Sequence, residues 1–300
     1  MTEKIKFTFL GTGSMIPNET RGHPAFLLAY KEENILIDCG EGTQVQFRKA
    51  KLNPCKITRI LITHWHGDHT FGLPGLLRTL ETSGYNKKMI IYGPKGLKKH
   101  MDEMFVAFGS IDKFPIQVLE VSGKFFENQD FYLEANKMIH VQPCNAYTFF
   151  LKSRLRMDKR KMKKLKISPG KHIQDLKLGK DIVFFGKKFR SKDLVFEEEP
   201  KKISIILDTV MNDNTVSLAK DSDLLICEST FGKDQSHLAK EYQHLTSTQA
   251  GEIAKKAKVR KLVLTHLSDR YSKNPKILLN EAKKVFKNTI LANDLDVISV

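Results

Sequence analysis

The chain is predicted to be an α/β protein built from two packed sheets with helices on their outer faces. Three observations carry that expectation. Strand-like apolar runs with helical stretches between them fill the first half, the same alternation resumes past residue 200, and 41% of the 300 residues are hydrophobic, enough for a sizeable core. In order, residues 5–10 alternate Ile5, Phe7 and Phe9 with polar or charged neighbours, a strand pattern rather than a leader peptide. Apolar runs predict further strands at 25–30, 34–38, 57–63 and 89–92, with helical periodicity at 44–51, 73–82 and 95–108. Strands are expected again at 116–121, 131–135 and 147–151, and later at 203–207, 224–227 and 262–265. Helices at 210–221 and 246–257 separate the last three, and a helix at 275–286 precedes short strands at 290–291 and 297–300. Three hundred residues exceed the usual domain length of about 100–200, yet α/β units reach this size, so 1–300 reads as one domain. No run approaches the ~18 apolar residues of a membrane helix, which argues against a membrane partner. Cys39, Cys55, Cys144 and Cys227 show no C-x-x-C pairing, which points to a reduced, cytoplasmic protein without a cysteine zinc site.

Chemistry concentrates in one loop. His64, His66, Asp68 and His69 fall within six residues, directly after the predicted strand at 57–63. Zinc takes imidazole nitrogen and carboxylate oxygen, with neutral histidine as the binding form. His64 and His66 can reach one ion together, while Asp68 and His69 point toward a second. A loop of this composition suits a two-metal hydrolytic centre better than a closed structural site, which would use cysteine. An ordinary surface loop with incidental histidines would seldom place four such side chains so closely.

Each ion needs ligands from elsewhere, and strand ends are where a sheet can supply them. Asp208 follows the apolar run 203–207, His266 follows 262–265, and His140 follows Met138-Ile139. The first ion would then take His64, His66 and His140, and the second Asp68, His69 and His266, with Asp208 bridging. Asp38, ending the run 34–38, is better suited to buttress the loop by hydrogen bonds. His23, His100, His172 and His237 have no comparable context, and Trp65 reads as a packing residue.

The formal charge is +16, and its placement matters more than its size. Residues 151–192 hold sixteen Lys or Arg against Asp158, Asp175 and Asp181, a local +13, whereas 34 basic residues face 31 acidic ones elsewhere. That block suits contact with nucleic-acid phosphates, and on charge alone it suits a solvated insertion without a partner equally well. Turn signals at Ser168-Pro169-Gly170 and Leu178-Gly179 mark it as an excursion, with a short strand expected over 181–188.

Whole segments now resemble a known family. Phe9-Leu-Gly-Thr-Gly-Ser14, Asp38-Cys-Gly-Glu-Gly-Thr-Gln44, Thr63-His-Trp-His-Gly-Asp-His-Thr-Phe-Gly-Leu-Pro-Gly-Leu-Leu77 and Thr265-His-Leu-Ser-Asp-Arg-Tyr271 are similar to the signature segments of the metallo-β-lactamase superfamily. The flanking Gly-Leu-Pro-Gly-Leu-Leu and the closing motif narrow the resemblance to RNase Z, the tRNA 3′-processing endonucleases. It implies the αββα sandwich of that superfamily, two Zn2+ per subunit on the ligand set above, and cleavage near the discriminator nucleotide of precursor tRNA that leaves a 3′-hydroxyl. It assigns Asp68 to the water's proton, and matches His244 in Gln243-His-Leu-Thr246 to a proton donor, with Glu228 as its orienting partner. Residues 151–192 fall where that family carries an RNA-gripping arm, which makes Lys159, Arg160, Lys161, Lys163, Lys164, Lys166 and Lys171 candidate RNA contacts. A homodimer is implied as well. The chain departs from the family pattern at Leu207, at Cys227, and in the reversed pair Pro169-Gly170. Phe71 and Tyr271 are candidate lining residues. Two alternatives remain: a superfamily hydrolase of a small ester or phosphodiester, which has no need of the basic block, and an RNA-binding protein with a vestigial site, against which the complete ligand set argues.

Overall fold

The computed structural model describes residues 4–168, 170 and 172–300. The chain divides into two compact units: Met1–Phe126, Leu133–Phe149 and Lys202–Val300 form the first, and Glu127–Tyr132 with Phe150–Lys201 the second. Among the described residues no helix is long and apolar enough to cross a membrane.

Two seven-stranded sheets organise the fold. One is ordered β18 (Val297–Ser299), β1 (Lys6–Gly11), β2 (Ala25–Tyr30), β3 (Glu33–Ile37), β4 (Arg59–Leu61), β5 (Met89–Gly93), β6 (Ile116–Glu120). Pairing is antiparallel from β18 to β3 and parallel from β3 to β6. Its parallel half is built from runs such as Met89-Ile-Ile-Tyr92, the composition of strands covered on both faces. Helix Leu73–Thr82 turns Leu73, Leu76, Leu77 and Leu80 inward at i, i+3, i+4, i+7 spacing, and they pack with Ile60, Ile62, Met89 and Ile91.

The other sheet is ordered β17 (Thr289–Leu291), β16 (Leu262–Thr265), β15 (Leu224–Glu228), β14 (Lys201–Ile206), β9 (Cys144–Leu151), β8 (Phe131–Met138), β7 (Gly123–Glu127). Strands β14 to β17 run parallel, joined by crossovers that include helices Asp213–Ala219, Ser247–Lys256 and Lys276–Val285. Ile253 and Ala254 of the middle helix pack on Leu225, Cys227 and Leu264. The two sheets meet face to face, where the Tyr147 hydroxyl donates to the Ile62 carbonyl at 2.7 Å and the Tyr30 and Phe149 rings lie 6.1 Å apart. This is the expected sandwich.

Several boundaries differ from expectation, each for a local reason. The strand expected over 57–63 shrinks to Arg59–Leu61: Pro54 opens a 3-10 turn capped by Asn53, and Asp38 Oδ1 takes the Thr63 N–H at 2.7 Å. The helix expected over 210–221 starts only at Asp213, because Asn212 accepts the Asn214 N–H as its cap. Strand β7 and the short helix Ser236–Glu241 were not foreseen.

In the second unit β10 (Arg154–Met157) pairs antiparallel with β13 (Val195–Glu198). The single strand expected over 181–188 is instead a hairpin of β11 (Ile182–Phe184) and β12 (Lys187–Phe189). Phe185 (φ 45°) and Gly186 (φ 71°) turn it, and two consecutive positive φ angles are what a tight hairpin needs. Ile167, Leu176, Ile182 and Leu194 form a small core of their own, with Met157, Met162, Ile173, Phe184, Phe189 and Val195 packed around it. Helix Lys159–Lys164, capped by Asp158, puts Met162 on that core. Lys159, Arg160, Lys161, Lys163, Lys164 and Lys166 are exposed, and the Lys161 ammonium donates to the Asp193 carbonyl at 2.9 Å. Pro169 and Lys171 lie outside the described residues.

Candidate metal centre

The side chains singled out in the sequence converge at the carboxyl ends of strands in both sheets, the edge at which α/β folds bind ligands. Asp38 follows β3, His64 follows β4, His140 follows β8, Asp208 follows β14, Glu228 ends β15 and His266 follows β16. Asp38 (φ 55°), Asp208 (φ 33°) and His266 (φ 58°) sit in the left-handed region, costly for residues with a Cβ and held only where the surroundings over-determine it. The metal loop is not irregular: Gly67–Thr70 forms a helical turn with His66 at its N-cap, which carries Asp68 and His69 inward. Gly40 lets that turn approach, since a Cβ there would collide with the Asp68 carbonyl.

Three donor groups result: one of His64, His66, His140 and Asp208, a second of Asp68, His69, Asp208 and His266, and a third of Glu228, His244 and His266, whose Glu228 and His244 are engaged with each other. In the first, His66 Nδ1 lies 2.9 Å from His64 Nε2 and 3.2 Å from His140 Nε2. Asp208 Oδ2 is 3.4 Å from His64 Nε2 and 3.9 Å from His140 Nε2. In the second, His69 Nε2 is 3.3 Å from His266 Nε2 and 3.4 Å from both Asp68 Oδ2 and Asp208 Oδ2. His266 Nε2 is 3.5 Å from Asp68 Oδ2 and 3.2 Å from Asp208 Oδ1. Donors bound tetrahedrally at about 2.0–2.1 Å would stand about 3.3 Å apart, so the cluster has the dimensions of ligands around ions. Protons alone cannot satisfy it, because His66 Nδ1 faces two ring nitrogens at once and Asp68 Oδ1 and Asp208 Oδ1 are buried with no hydrogen-bond partner.

The surroundings also fix which nitrogen is presented. Thr63 Oγ1 donates to Asp38 Oδ2 at 2.8 Å and accepts from His64 Nδ1 at 3.1 Å. His69 Nδ1 donates to Asp38 Oδ2 at 2.7 Å and His140 Nδ1 to the Gln243 carbonyl at 3.1 Å. Thr230 Oγ1 donates to Glu228 Oε2 at 2.6 Å and accepts from His266 Nδ1 at 2.8 Å. Four histidines thus offer a bare Nε2, an orientation set by outer partners as in metal sites generally. Burial, reinforced by neighbouring histidines, pushes His64 far below the ordinary imidazole range, and burial lowers His66 and His140, favouring the neutral form that metals bind. Burial opposes charge on His69 too, but Asp68, Asp208 and Asp38 raise it well above the ordinary range. That is a demand for positive charge at the centre, which a metal ion meets as well as a proton. Asp208 is held well below the ordinary carboxylate range by His266 and His69 in spite of its burial.

Beside the donors, His244 Nδ1 donates to Glu228 Oε2 at 3.1 Å. Burial disfavours its charge, but Glu228 and Asp208 outweigh it and raise the imidazole to about 9. A cavity of about 410 Å3 opens over the centre, lined by His66, Asp68, His140, Asp208, His244 and His266 together with Met15, Ile16, Phe231, Tyr242 and Arg270. Sequence reasoning missed Thr230, Phe231 and Tyr242; a hydroxyl directly after a strand-ending glutamate was the available signal for the first. Two expected lining residues lie elsewhere. Phe71 is exposed and covers Gly67, and the Tyr271 hydroxyl donates to Asp234 Oδ1 at 2.9 Å and accepts from Gly232 N, a structural role. Trp65 stacks on His100 with centroids 5.2 Å apart, and His23 holds the Met15 carbonyl at 3.1 Å.

Two mixed sheets with helices outside and a His/Asp cluster at their strand ends define a metallo-β-lactamase-fold protein able to hold a metal cofactor. The metallo-β-lactamase fold protein YhfI of Bacillus subtilis superposes over the whole of both chains with a TM-score of 0.73 at 19% identity. Human tRNase Z, short form, superposes with a TM-score of 0.71 at 29% identity, over 98% of this chain and 99% of that one. The Ribonuclease Z of Enterococcus faecalis is 36% identical over 307 residues, spanning 99% of this chain and 97% of the relative. The chain belongs to the ribonuclease Z family of enzymes, and residues 5–276 also match the family described as Anti-Pycsar protein Apyc1.

Proposed function

We propose that this protein is a zinc-dependent endoribonuclease that removes the 3′ trailer from precursor tRNA, cutting near the discriminator nucleotide and leaving a 3′-hydroxyl. The observation that carries the reading is the pair of donor groups sharing Asp208, set beside the His244–Glu228 couple in a ribonuclease Z relative. His64, His66, His140 and Asp208 would hold one Zn2+, and Asp68, His69, Asp208 and His266 the other. Bound zinc supplies Lewis-acid neutralisation of the phosphodiester and a water of lowered pKa.

The chain's own residues do the rest. Asp68 turns Oδ2 to the donor group and keeps Oδ1 unpartnered, which suits it to take the water's proton. With Nδ1 committed to Glu228, His244 has Nε2 left to give a proton to the departing 3′ oxygen, while Glu228 orients and charges the ring. The exposed cations of 151–192, among them Lys159, Arg160, Lys163, Lys164 and Lys166, suit phosphate contacts on folded RNA, with 151–192 acting as an inserted arm in a single 1–300 catalytic domain. Family membership also supports a homodimer. Incubation with a CCA-less precursor tRNA and with a generic phosphodiester, each with and without zinc, tests the proposal. A zinc-dependent cut at the trailer junction is the expected result. Hydrolysis of the small diester alone would instead favour a small-substrate hydrolase.

A further inference from the structure

The mouth of the metal cavity is more apolar than phosphate chemistry requires. Met15, Ile16, Val141 and Tyr242 are each more than half exposed at its rim, and Phe231 lies beneath at 6% exposure. The rings are ordered toward the centre. Phe231 stands 6.5 Å from Tyr242 at an interplanar angle of 22°, and 6.0 Å from the His244 ring. The backbone holds this series: Tyr242 closes helix Ser236–Glu241, Gln243 turns at φ 56°, and the Gln243 carbonyl accepts from His140. The Phe231 and Ser247 N–H groups tie the opposite side at 3.3 Å to the Leu245 carbonyl and 2.8 Å to the Phe231 carbonyl.

On the reading that His244 protonates the leaving 3′ oxygen, we infer that Tyr242, backed by Phe231, is the stacking platform for the base of the nucleotide that bears this oxygen. A base lies one ribose away from its own 3′ oxygen. The exposed aromatic ring that shares the cavity with His244, and that Phe231 links to it, is Tyr242, at 51% exposure. A cavity of about 410 Å3 lies in the range that accommodates drug-sized ligands, and an ester without a ring would leave the aromatic wall unused. Stacking on an aromatic face tolerates any base, so such a platform would hold the nucleotide without reading its sequence.

The test compares two precursor tRNAs, intact and abasic at that one nucleotide, with wild-type enzyme, Tyr242→Ala and Tyr242→Phe. Removing the base should lower wild-type kcat/KM on the order of tenfold or more. Tyr242→Ala should show the same loss on the intact precursor and no further loss on the abasic one, whereas Tyr242→Phe should match wild type. Equal wild-type rates on both precursors would overturn the platform, as would a Tyr242→Ala defect of equal size on both. If Tyr242→Ala fails to fold, Tyr242→Leu takes its place. Absence of any cut in the intact precursor by wild type is a separate result, which removes the tRNA reading and the platform with it.

Discussion

The candidate metal centre and the basic segment are polar regions built on opposite terms. Five of the seven donors, His64, Asp68, His69, Asp208 and His266, are buried, and the Nδ1 atoms of His64, His69, His140 and His266 are held by Thr63, Asp38, the Gln243 carbonyl and Thr230. Six of the seven cations singled out at 151–192 stand in water, above a core of only four fully packed side chains. A preorganised site tolerates displacements of about half an ångström, whereas a field of exposed charges acts over about 8 Å at physiological salt. Changes in the first region should therefore act all at once and on every substrate. Changes in the second should be graded, salt-dependent and confined to RNA.

The largest effect should come from the shared ligand. Asp208→Ala removes a donor from two of the three groups, so cleavage of tRNA and of a small diester should each fall more than about 10³-fold, with metal content by mass spectrometry falling in parallel. Asp38→Ala touches no ion but frees Thr63 and His69, and should cost about 10–100-fold in metal affinity or activity. Retention of the full metal complement by Asp208→Ala would refute the bridging assignment.

His244→Ala separates the two halves of the chemistry. Cleavage of tRNA, whose leaving alkoxide needs a proton, should drop about 10²–10⁴-fold, while hydrolysis of a bis(p-nitrophenyl) phosphate should change by less than about tenfold. Equal losses on both substrates would assign His244 to the metal rather than to the leaving group.

The convergence of the candidate donors was legible in the sequence because they are tied to two short-range signals: a dense loop, and single residues directly after apolar runs. Strand ends converge for topological reasons, so Asp208, His140 and His266 could be grouped without knowing the register. What escaped was whatever depends on long-range packing. The helical turn at Gly67–Thr70 owes its place to the glycine at position 40, Tyr242 reaches the cavity beside the turn at Gln243, and Phe231 through its backbone bonds to the 245–247 segment. In the basic segment, charge hid structure. Residues 181–188 read as one strand although Phe185 and Gly186 fold them into a hairpin, and Met162, set inside a lysine run, is the helix's contact with its core.

Excising that segment is the coarsest way to break the contrast. Met157 and Val195 are paired in the antiparallel ladder, so replacing residues 158–194 with Asn-Gly should close β10 onto β13 as a tight hairpin. Cleavage of tRNA should fall on the order of a hundredfold or more while small-diester hydrolysis and metal content hold. Survival of tRNA cleavage would remove the segment from the mechanism.

The smallest effect is the most diagnostic of kind. Lys159, Lys163 and Lys164 are exposed on one short helix, whereas Lys161 is tied to the Asp193 carbonyl and is a poor choice for the experiment. If the three contact phosphates, each releases about one counterion on binding, so the triple alanine variant should flatten the slope of log K against log salt by about 2–3. The small-diester rate should not move. Lys87→Ala with Lys88→Ala, two exposed cations of the first unit, provides the control and should leave the slope unchanged. An equal flattening per charge removed in both variants would mean that RNA feels the net charge of +16 as a whole, and that the segment's placement confers nothing beyond its count.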